Sequence, residues 1–279
     1  MEAVSIDRAQ QISLYVGFMR YCNGLAANAT ERSIIGAICS DLQALPDRSL
    51  SDIAEQAHVS EPSVSRLIRK IGFLSTQEFK RILREEGQHY AYRRTLLHER
   101  NYHSQDAEEI TAALYDAMQE NLASTKEHLQ TQTVLEMLSA MRNSHRVFLL
   151  GDTHETQCFH RLQISLFSLG VPALMVNQPE WDGLLSGGIS ARDSVFFVSV
   201  AAEWYAPWQQ RFVREAATHG AKLLLLSQDD LGLREATHAM RYGLPGSFNN
   251  GYYSLPYLNE VFCELLFQDS QSSQRAAKA

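Results

Sequence analysis

Four cysteines are all that the 279 residues carry, and none of Cys22, Cys39, Cys158 and Cys263 is spaced as a metal pair or a redox pair. Thiols scattered in this way give no disulfide framework and fit a reducing compartment, so the cytoplasm is expected. His145, His154 and His160 form no metal-ligand pattern with any cysteine, and neither a metal nor a cofactor is expected. The N-terminus lacks a basic region followed by an apolar run, so no secretory signal is expected. No stretch reaches about 18 consecutive apolar residues, so no membrane-spanning helix is expected. The apolar stretch Ser194 to Ala206 is interrupted by Glu203 and closed by Pro207.

An overall excess of positive charge is also missing. The net charge is −7, which taken alone argues against a nucleic-acid binder. The charge is uneven, however. Residues 1–100 hold 13 Lys+Arg and 12 Asp+Glu, and residues 101–279 hold 12 and 20, so the excess of acid lies in the second part. A near-neutral part with a local basic face, joined to an acidic part, fits a modular regulator. The length suggests about two domains, and the 45% hydrophobic content supports a full core.

Within the near-neutral part, Leu50 to Phe73 reads as two short helices and a tight turn, a helix-turn-helix. The first spans about Leu50 to Ala57, with Ser49 or Ser51 able to cap it. Ala54 is small enough for a close crossing. His58, Val59 and Ser60 form the turn, where the backbone at His58 needs a positive φ that His tolerates better than a β-branched residue. Ser60 is expected to cap the second helix and Pro62 to sit in its first turn. Val64, Leu67, Ile68 and Ile71 make one apolar stripe, and Gly72 ends the helix. The opposite side then carries Arg66 and Arg69, flanked by Ser63, Ser65 and Lys70. Guanidinium forks suit guanine edges, and hydroxyl or ammonium groups suit phosphates. A further helix from about Thr76 adds Lys80, Arg81 and Arg84. From Arg66 to Arg84 six cations face one carboxylate, Glu78. The plain alternative is a three-helix bundle with a solvated basic face.

Around this stretch the chain is helical, with helices expected over Ile12–Tyr21 and from Thr30, the latter burying Ile34, Ile35, Ile38 and Leu42. Residues 1–87 form the expected DNA-binding domain and residues 88–130 a helical connection, in which Asp106 to about Leu129 turns Ile110, Leu114, Ala117, Met118 and Leu122 to one side. Such helices either pair two subunits or pack on their own sheet. From His145 short apolar runs closed by small residues alternate with helices. Strands are expected at Arg146–Gly151, Val171–Val176, Ser194–Val200 and Ala221–Ser227, with a short run at Met240–Leu244. Helices are expected at Glu155–Leu169, near Glu180–Leu185, at Pro207–His219 and at Leu255–Phe267. This is a parallel α/β sheet flanked by helices over residues 131–268, and residues 269–279 read as disordered. Ligands in such sheets sit at the carboxyl ends of the strands, here Gly151–Thr156 and Ser199–Trp204.

Both parts together resemble the RpiR family of bacterial transcription regulators. The resemblance rests on Ser51–Phe73 with Gln77-Glu78-Phe79-Lys80, on the strand–glycine–helix start at Arg146–Gly151, and on Ala217–Ser227. It implies an N-terminal helix-turn-helix on a double-stranded DNA operator, a C-terminal sugar isomerase (SIS) domain that senses phosphosugars, and a homodimer or higher even oligomer. It makes Ser60, Ser63, Ser65, Arg66, Arg69, Lys70, Lys80 and Arg81 the expected DNA contacts. Gly151, Thr153, Glu155, Thr156, Ser199 and Glu203 are the expected effector-binding residues. No catalytic residue is expected.

The loops depart from the family's phosphosugar pattern. A G-x-G-x-S-S loop is usual after the first strand, and here Thr153 replaces the second glycine and Glu155 a serine. After the third strand Ser199 remains, but Ala201, Ala202 and Trp204 interrupt the S-x-S-G-x-T pattern. A carboxylate within about 4 Å of a phosphate opposes binding by several kcal/mol, so a neutral or amine-bearing molecule suits Asp152, Glu155 and Glu203 better. Two other readings stand beside the regulator. One is a sugar-phosphate-binding or isomerising SIS enzyme, with His154 and Glu155 as an acid–base pair. The other is a non-catalytic pairing protein.

Overall fold

A computed structural model describes residues 18–19, 28–42, 44–90, 96–176, 188–200, 207–245 and 248–278. Of the helix expected over Ile12–Tyr21 only Phe18 and Met19 fall among these residues, and both are helical. The helix expected near Glu180–Leu185 lies outside them, as do Glu203 and Trp204. The chain divides into two compact units, Met1–Arg93 and Arg94–Ala279.

The first unit holds α1 (Ala29–Cys39), α2 (Leu50–Gln56), α3 (Glu61–Ile71) and α4 (Thr76–Tyr90). Asn28 starts α1 through a reciprocal cap with Glu31. Ile34, Ile35 and Ile38 are buried as their spacing requires, but Leu42 is 49% exposed. The helix stops at Cys39, so Leu42 no longer continues its stripe. The core joins these residues to Ile53, Val64, Leu67, Ile68, Phe73, Phe79 and Ile82. Phe79 meets Phe18 and Phe73 edge-on, at ring-centre distances of 5.4 and 5.0 Å.

The second unit opens with α5 (Leu96–Glu99), α6 (Ala107–His128) and α7 (Thr131–Arg142). Most of the segment expected as a connection therefore belongs to this unit. Five parallel strands follow among the described residues: β1 (Val147–Leu150), β2 (Ala173–Val176), β3 (Ser194–Ser199), β4 (Lys222–Ser227) and β5 (His238–Arg241), in the order β2-β1-β3-β4-β5. The single helix expected after β1 is two, α8 (Thr153–Cys158) and α9 (His160–Ser168), which meet at Phe159. Leu169 falls past the end of α9 and is 41% exposed. α10 (Pro207–Thr218) precedes β4, and α11 (Phe248–Lys278) ends the chain.

The three central strands, β1, β3 and β4, are largely apolar because both faces of the sheet are covered there, whereas the edge strand β5 carries His238 and Arg241. Alternation along each strand sends Val147, Leu149, Phe196, Val198, Leu224 and Leu226 to the face packed by α7, α9 and α11. Phe148, Leu150, Val195, Phe197, Leu223 and Leu225 face the other way, toward Phe212, Val213 and Ala216 of α10.

Two helices differ from expectation. On α6 the buried seam is Ala117, Asn121 and Thr125, whereas Ile110, Leu114, Met118 and Leu122 are only half-buried. Polar residues tolerate this burial because they find partners. The Asn121 amide donates to Ser254 Oγ at 2.6 Å, the Thr125 and Ser254 hydroxyls lie 2.6 Å apart, and the Leu244 N–H donates to Asn121 Oδ1 at 3.1 Å. α11 starts seven residues before Leu255, runs through Pro256 and reaches Lys278, so it takes in most of the segment expected to be disordered. That segment is polar but holds neither Pro nor Gly, so nothing in it stops a helix.

Candidate nucleic-acid interface and strand-end cleft

Ser49 caps α2 in a reciprocal pair with Asp52. The Asp52 N–H donates to Ser49 Oγ at 3.0 Å, and the Ser49 N–H to Asp52 Oδ2 at 2.7 Å. The turn takes the left-handed backbone expected at His58, with φ of 55°. Gly72 ends α3 with φ of 114°. Val64, Leu67, Ile68 and Ile71 are buried, which leaves Arg66, Arg69 and Lys70 exposed and Ser63 and Ser65 half-buried. Ser60 stands at the N-cap position, but its hydroxyl makes no bond to the helix backbone. It lies 3.0 Å from Ser63 Oγ, and Ser63 Oγ in turn accepts from Arg66 Nη2 at 3.0 Å. Ser60, Ser63 and Arg66 thus form a chain along the exposed side of α3, and the hydroxyls steady the guanidinium.

The other cations are less available than their number suggests. Lys70 Nζ donates to Glu31 Oε1 at 2.7 Å. That bond holds the Glu31 carboxyl below its usual range against the desolvation that opposes it. Arg81 pairs with Glu85 at 2.5 Å and Arg84 with Asp47 at 3.1 Å. Lys80 is half-buried and donates to the backbone carbonyl of Arg48. The Arg48 guanidinium reaches Ala37 O at 2.8 Å and Gln56 Oε1 at 2.5 Å. Lys80 and Arg48 thus tie α1, α2 and α4 together. Lys80, expected on a phosphate, is bonded here to the carbonyl of Arg48, 32 residues away. Among the described residues no side chain pairs with Arg69, and only Ser63 meets Arg66.

In the second unit the loop after β1 and the end of β3 come together. Asp152 caps α8, with the Glu155 N–H donating to Asp152 Oδ1 at 2.8 Å. Glu155 does not line an open cleft as expected: it is 5% exposed. Its Oε2 accepts from the Asp152 N–H at 2.6 Å and its Oε1 from the Val200 N–H at 2.7 Å. Burial, and then the nearby charge of Asp152, push the Glu155 carboxyl well above its usual value, while the two N–H bonds act the other way. Gly151 lies against this group, and a Cβ there would sit 2.9 Å from both Glu155 Oε2 and the Val198 carbonyl. Thr156 is buried and donates to the Asp152 carbonyl at 2.8 Å. Thr153 Oγ1 is buried with no partner among the described residues. Ser199 is buried, and its carbonyl accepts from the Gln228 N–H at 3.0 Å and from the Tyr242 hydroxyl at 3.4 Å.

The structure therefore gathers Gly151, Thr153, Glu155, Thr156 and Ser199, while Glu203 is outside the described residues. It adds one contributor that sequence reading missed. The Tyr252 hydroxyl donates to Asp152 Oδ2 at 2.9 Å, and its ring lies edge-on to His154 at 5.9 Å. Tyr252 stands 100 residues from Asp152, on the part of α11 that precedes the helix expected from Leu255. His154 is exposed while the Glu155 carboxyl is turned onto backbone amides, which removes the support for an acid–base pair. Among the described residues no group of three His, Cys, Asp or Glu could hold a metal ion, and no described helix is long and apolar enough to cross a membrane.

Residues 23–89 match the family described as the helix-turn-helix domain of the rpiR family. The first unit is an rpiR-family helix-turn-helix domain. The match spans α1 to α4, so it includes the left-handed turn at His58 and the exposed α3 face. Two relatives are named as uncharacterized HTH-type transcriptional regulators. One, from Clostridium perfringens, is 22% identical over 206 residues, 73% of this chain and 72% of its own. The other, from Thermotoga maritima, is 26% identical over 122 residues, 43% of each chain. Among solved structures, the Vibrio vulnificus NanR protein complexed with ManNAc-6P aligns over 95% of this chain and 97% of its own, with a TM-score of 0.50 and 15% identity. That likeness covers the rpiR-type domain and the α/β unit alike and speaks for the fold alone.

Proposed function

We propose that this chain is a sequence-specific DNA-binding transcription regulator that acts in the cytoplasm as a homodimer or a higher even oligomer. Its second unit is a SIS-type domain that takes a small molecule, pairs subunits, or does both, and it catalyses no reaction. The exposed α3 face carries this reading: Arg66 held by Ser63, and Arg69 one turn beyond, project from a helix that begins after Ser60 with Pro62 in its first turn and ends at the left-handed Gly72. Two guanidiniums at that spacing can each fork onto a guanine edge, while Ser60, Ser65 and Lys70 reach phosphates. An isomerase is disfavoured by the inward Glu155 and by the missing hydroxyls of the loops.

Capture of fragmented genomic DNA on the purified chain, at low and at moderate salt, tests the reading. A shared palindromic motif recovered at both salts is expected. Diffuse recovery that vanishes with salt would reduce the face to a non-specific or merely solvated surface.

A further inference from the structure

We propose that the Glu155 carboxyl group is a built-in occupant of the second unit's anion cradle, so that the strand-end cleft takes a ligand that carries no phosphate. The inference rests on reading that cleft as the regulator's ligand site, and it names the chemical class.

Two segments far apart in sequence build the cradle. The Asp152 N–H comes from the loop after β1 and the Val200 N–H from the end of β3, and each donates to a different oxygen of the same carboxyl group, at 2.6 and 2.7 Å. Backbone N–H groups converging from two loops are the donors with which proteins hold oxyanions. Here a side chain of the protein itself has taken them. Gly151 is the close-approach position of this cradle, since any side chain there would strike Glu155 Oε2 and the Val198 carbonyl. The approach that glycine permits is filled by Glu155.

The surroundings add to the exclusion. The third N–H in the loop, that of Glu155, is taken by Asp152 Oδ1, and Asp152 Oδ2 is fixed by the Tyr252 hydroxyl. An incoming phosphate would have to displace a buried carboxyl group and then lie beside a second one. The bond to Val200 also ties the β1 loop to the end of β3 without any ligand. A neutral or amine-bearing molecule at the rim needs none of these amides.

The test uses the full chain, labelled with nitrogen-15, and two probes, inorganic phosphate and glucose 6-phosphate. In the wild type neither probe at millimolar concentration should move the Asp152 and Val200 amide resonances. Glu155→Ser removes the occupant and leaves a hydroxyl, and both probes should then move those two amides, with binding tighter than wild type by about tenfold or more. Glu155→Gln serves if the serine variant does not fold. It keeps the volume but has one accepting oxygen for two amides, and it should gain a smaller phosphate response. Movement of the two amides in the wild type would overturn the proposal, as would a folded variant that binds phosphate no better than wild type. The assay reads no DNA. A chain that selects an operator but fails here loses only this inference, and a chain that passes here but selects no motif loses only the regulator reading.

Discussion

The exposed side of α3 and the loop after β1 are both polar surfaces raised by a helix, and they use their polar groups in opposite ways. On α3, Arg66 and Arg69 meet no carboxylate among the described residues, and the nearby hydroxyls steady Arg66 without neutralising it. After β1, Asp152 and Glu155 cap one helix, bind each other's amides, reach across to Val200 and accept a tyrosine hydroxyl. A surface that waits for a partner leaves charge unpaired at small cost because water solvates it. A loop that closes on itself must satisfy its groups internally because they are buried. The difference supports the DNA contact proposed for α3 and predicts that substitutions in the two regions act on different observables.

The largest effect is expected at the open face. Arg66→Ala and Arg69→Ala should each weaken operator binding by about 1–3 kcal/mol, the loss of one bidentate base contact, with an unchanged melting curve. Fluorescence anisotropy on the captured motif measures it. Full affinity in both variants would break the comparison, because the open face would then carry no recognition.

Next is the closed loop. Gly151→Ala places a methyl group against the Val198 carbonyl and Glu155 Oε2, and overpacking of this kind costs about 2 kcal/mol. Denaturant unfolding should show the loss in the second unit, and the isolated operator contacts of α3 should be unaltered. A smaller effect should separate the cations of the first unit. Lys80→Met removes the bond to the Arg48 carbonyl and should lower stability by about 1 kcal/mol while the salt slope of operator binding stays as it was. A slope that falls by about one would instead return Lys80 to a phosphate.

These contrasts also mark what could be read in advance. The helix-turn-helix was legible because its signals are local: the Ser49 cap, the left-handed His58, the stripe of four apolar residues and the terminal Gly72 all lie within one short stretch. The strands were legible for the same reason, as short apolar runs. What could not be read were the partners. Lys70 meets Glu31 from 39 positions away, Arg84 meets Asp47 from 37, and Glu155 meets Val200 from 45. A count of cations along α3 and α4 therefore overstated the open charge, and a carboxylate on a loop looked like lining when it was a plug. Asn121 and Thr125 escaped notice because a polar residue reads as exposed unless its partner, here Ser254, is known.

The smallest effect sharpens the comparison within the second unit, between two buried carboxyl groups. Asp193 lies at the opposite ends of the strands from Glu155. Burial raises its pKa, but the bonds from Arg146 at 3.1 and 2.9 Å and from Ser190 outweigh that and hold it below its ordinary 3.8. Its stabilising contribution is present above 3.8 and is lost as pH falls through the lowered value. Glu155 has the reverse sign. Its pKa is raised above 4.5, so its contribution is complete below 4.5 and is lost as pH rises through the folded-state value. Melting temperatures across pH should therefore show Asp193→Asn removing stability chiefly above the acid limb. Glu155→Gln should flatten a decline that begins above 4.5. The difference has a direct physical basis: Asp193 has a guanidinium for a partner, whereas Glu155 has only amides and a neighbouring acid. If the two variants changed the same limb of the curve, the contrast between a paired carboxylate and a self-plugging one would be lost.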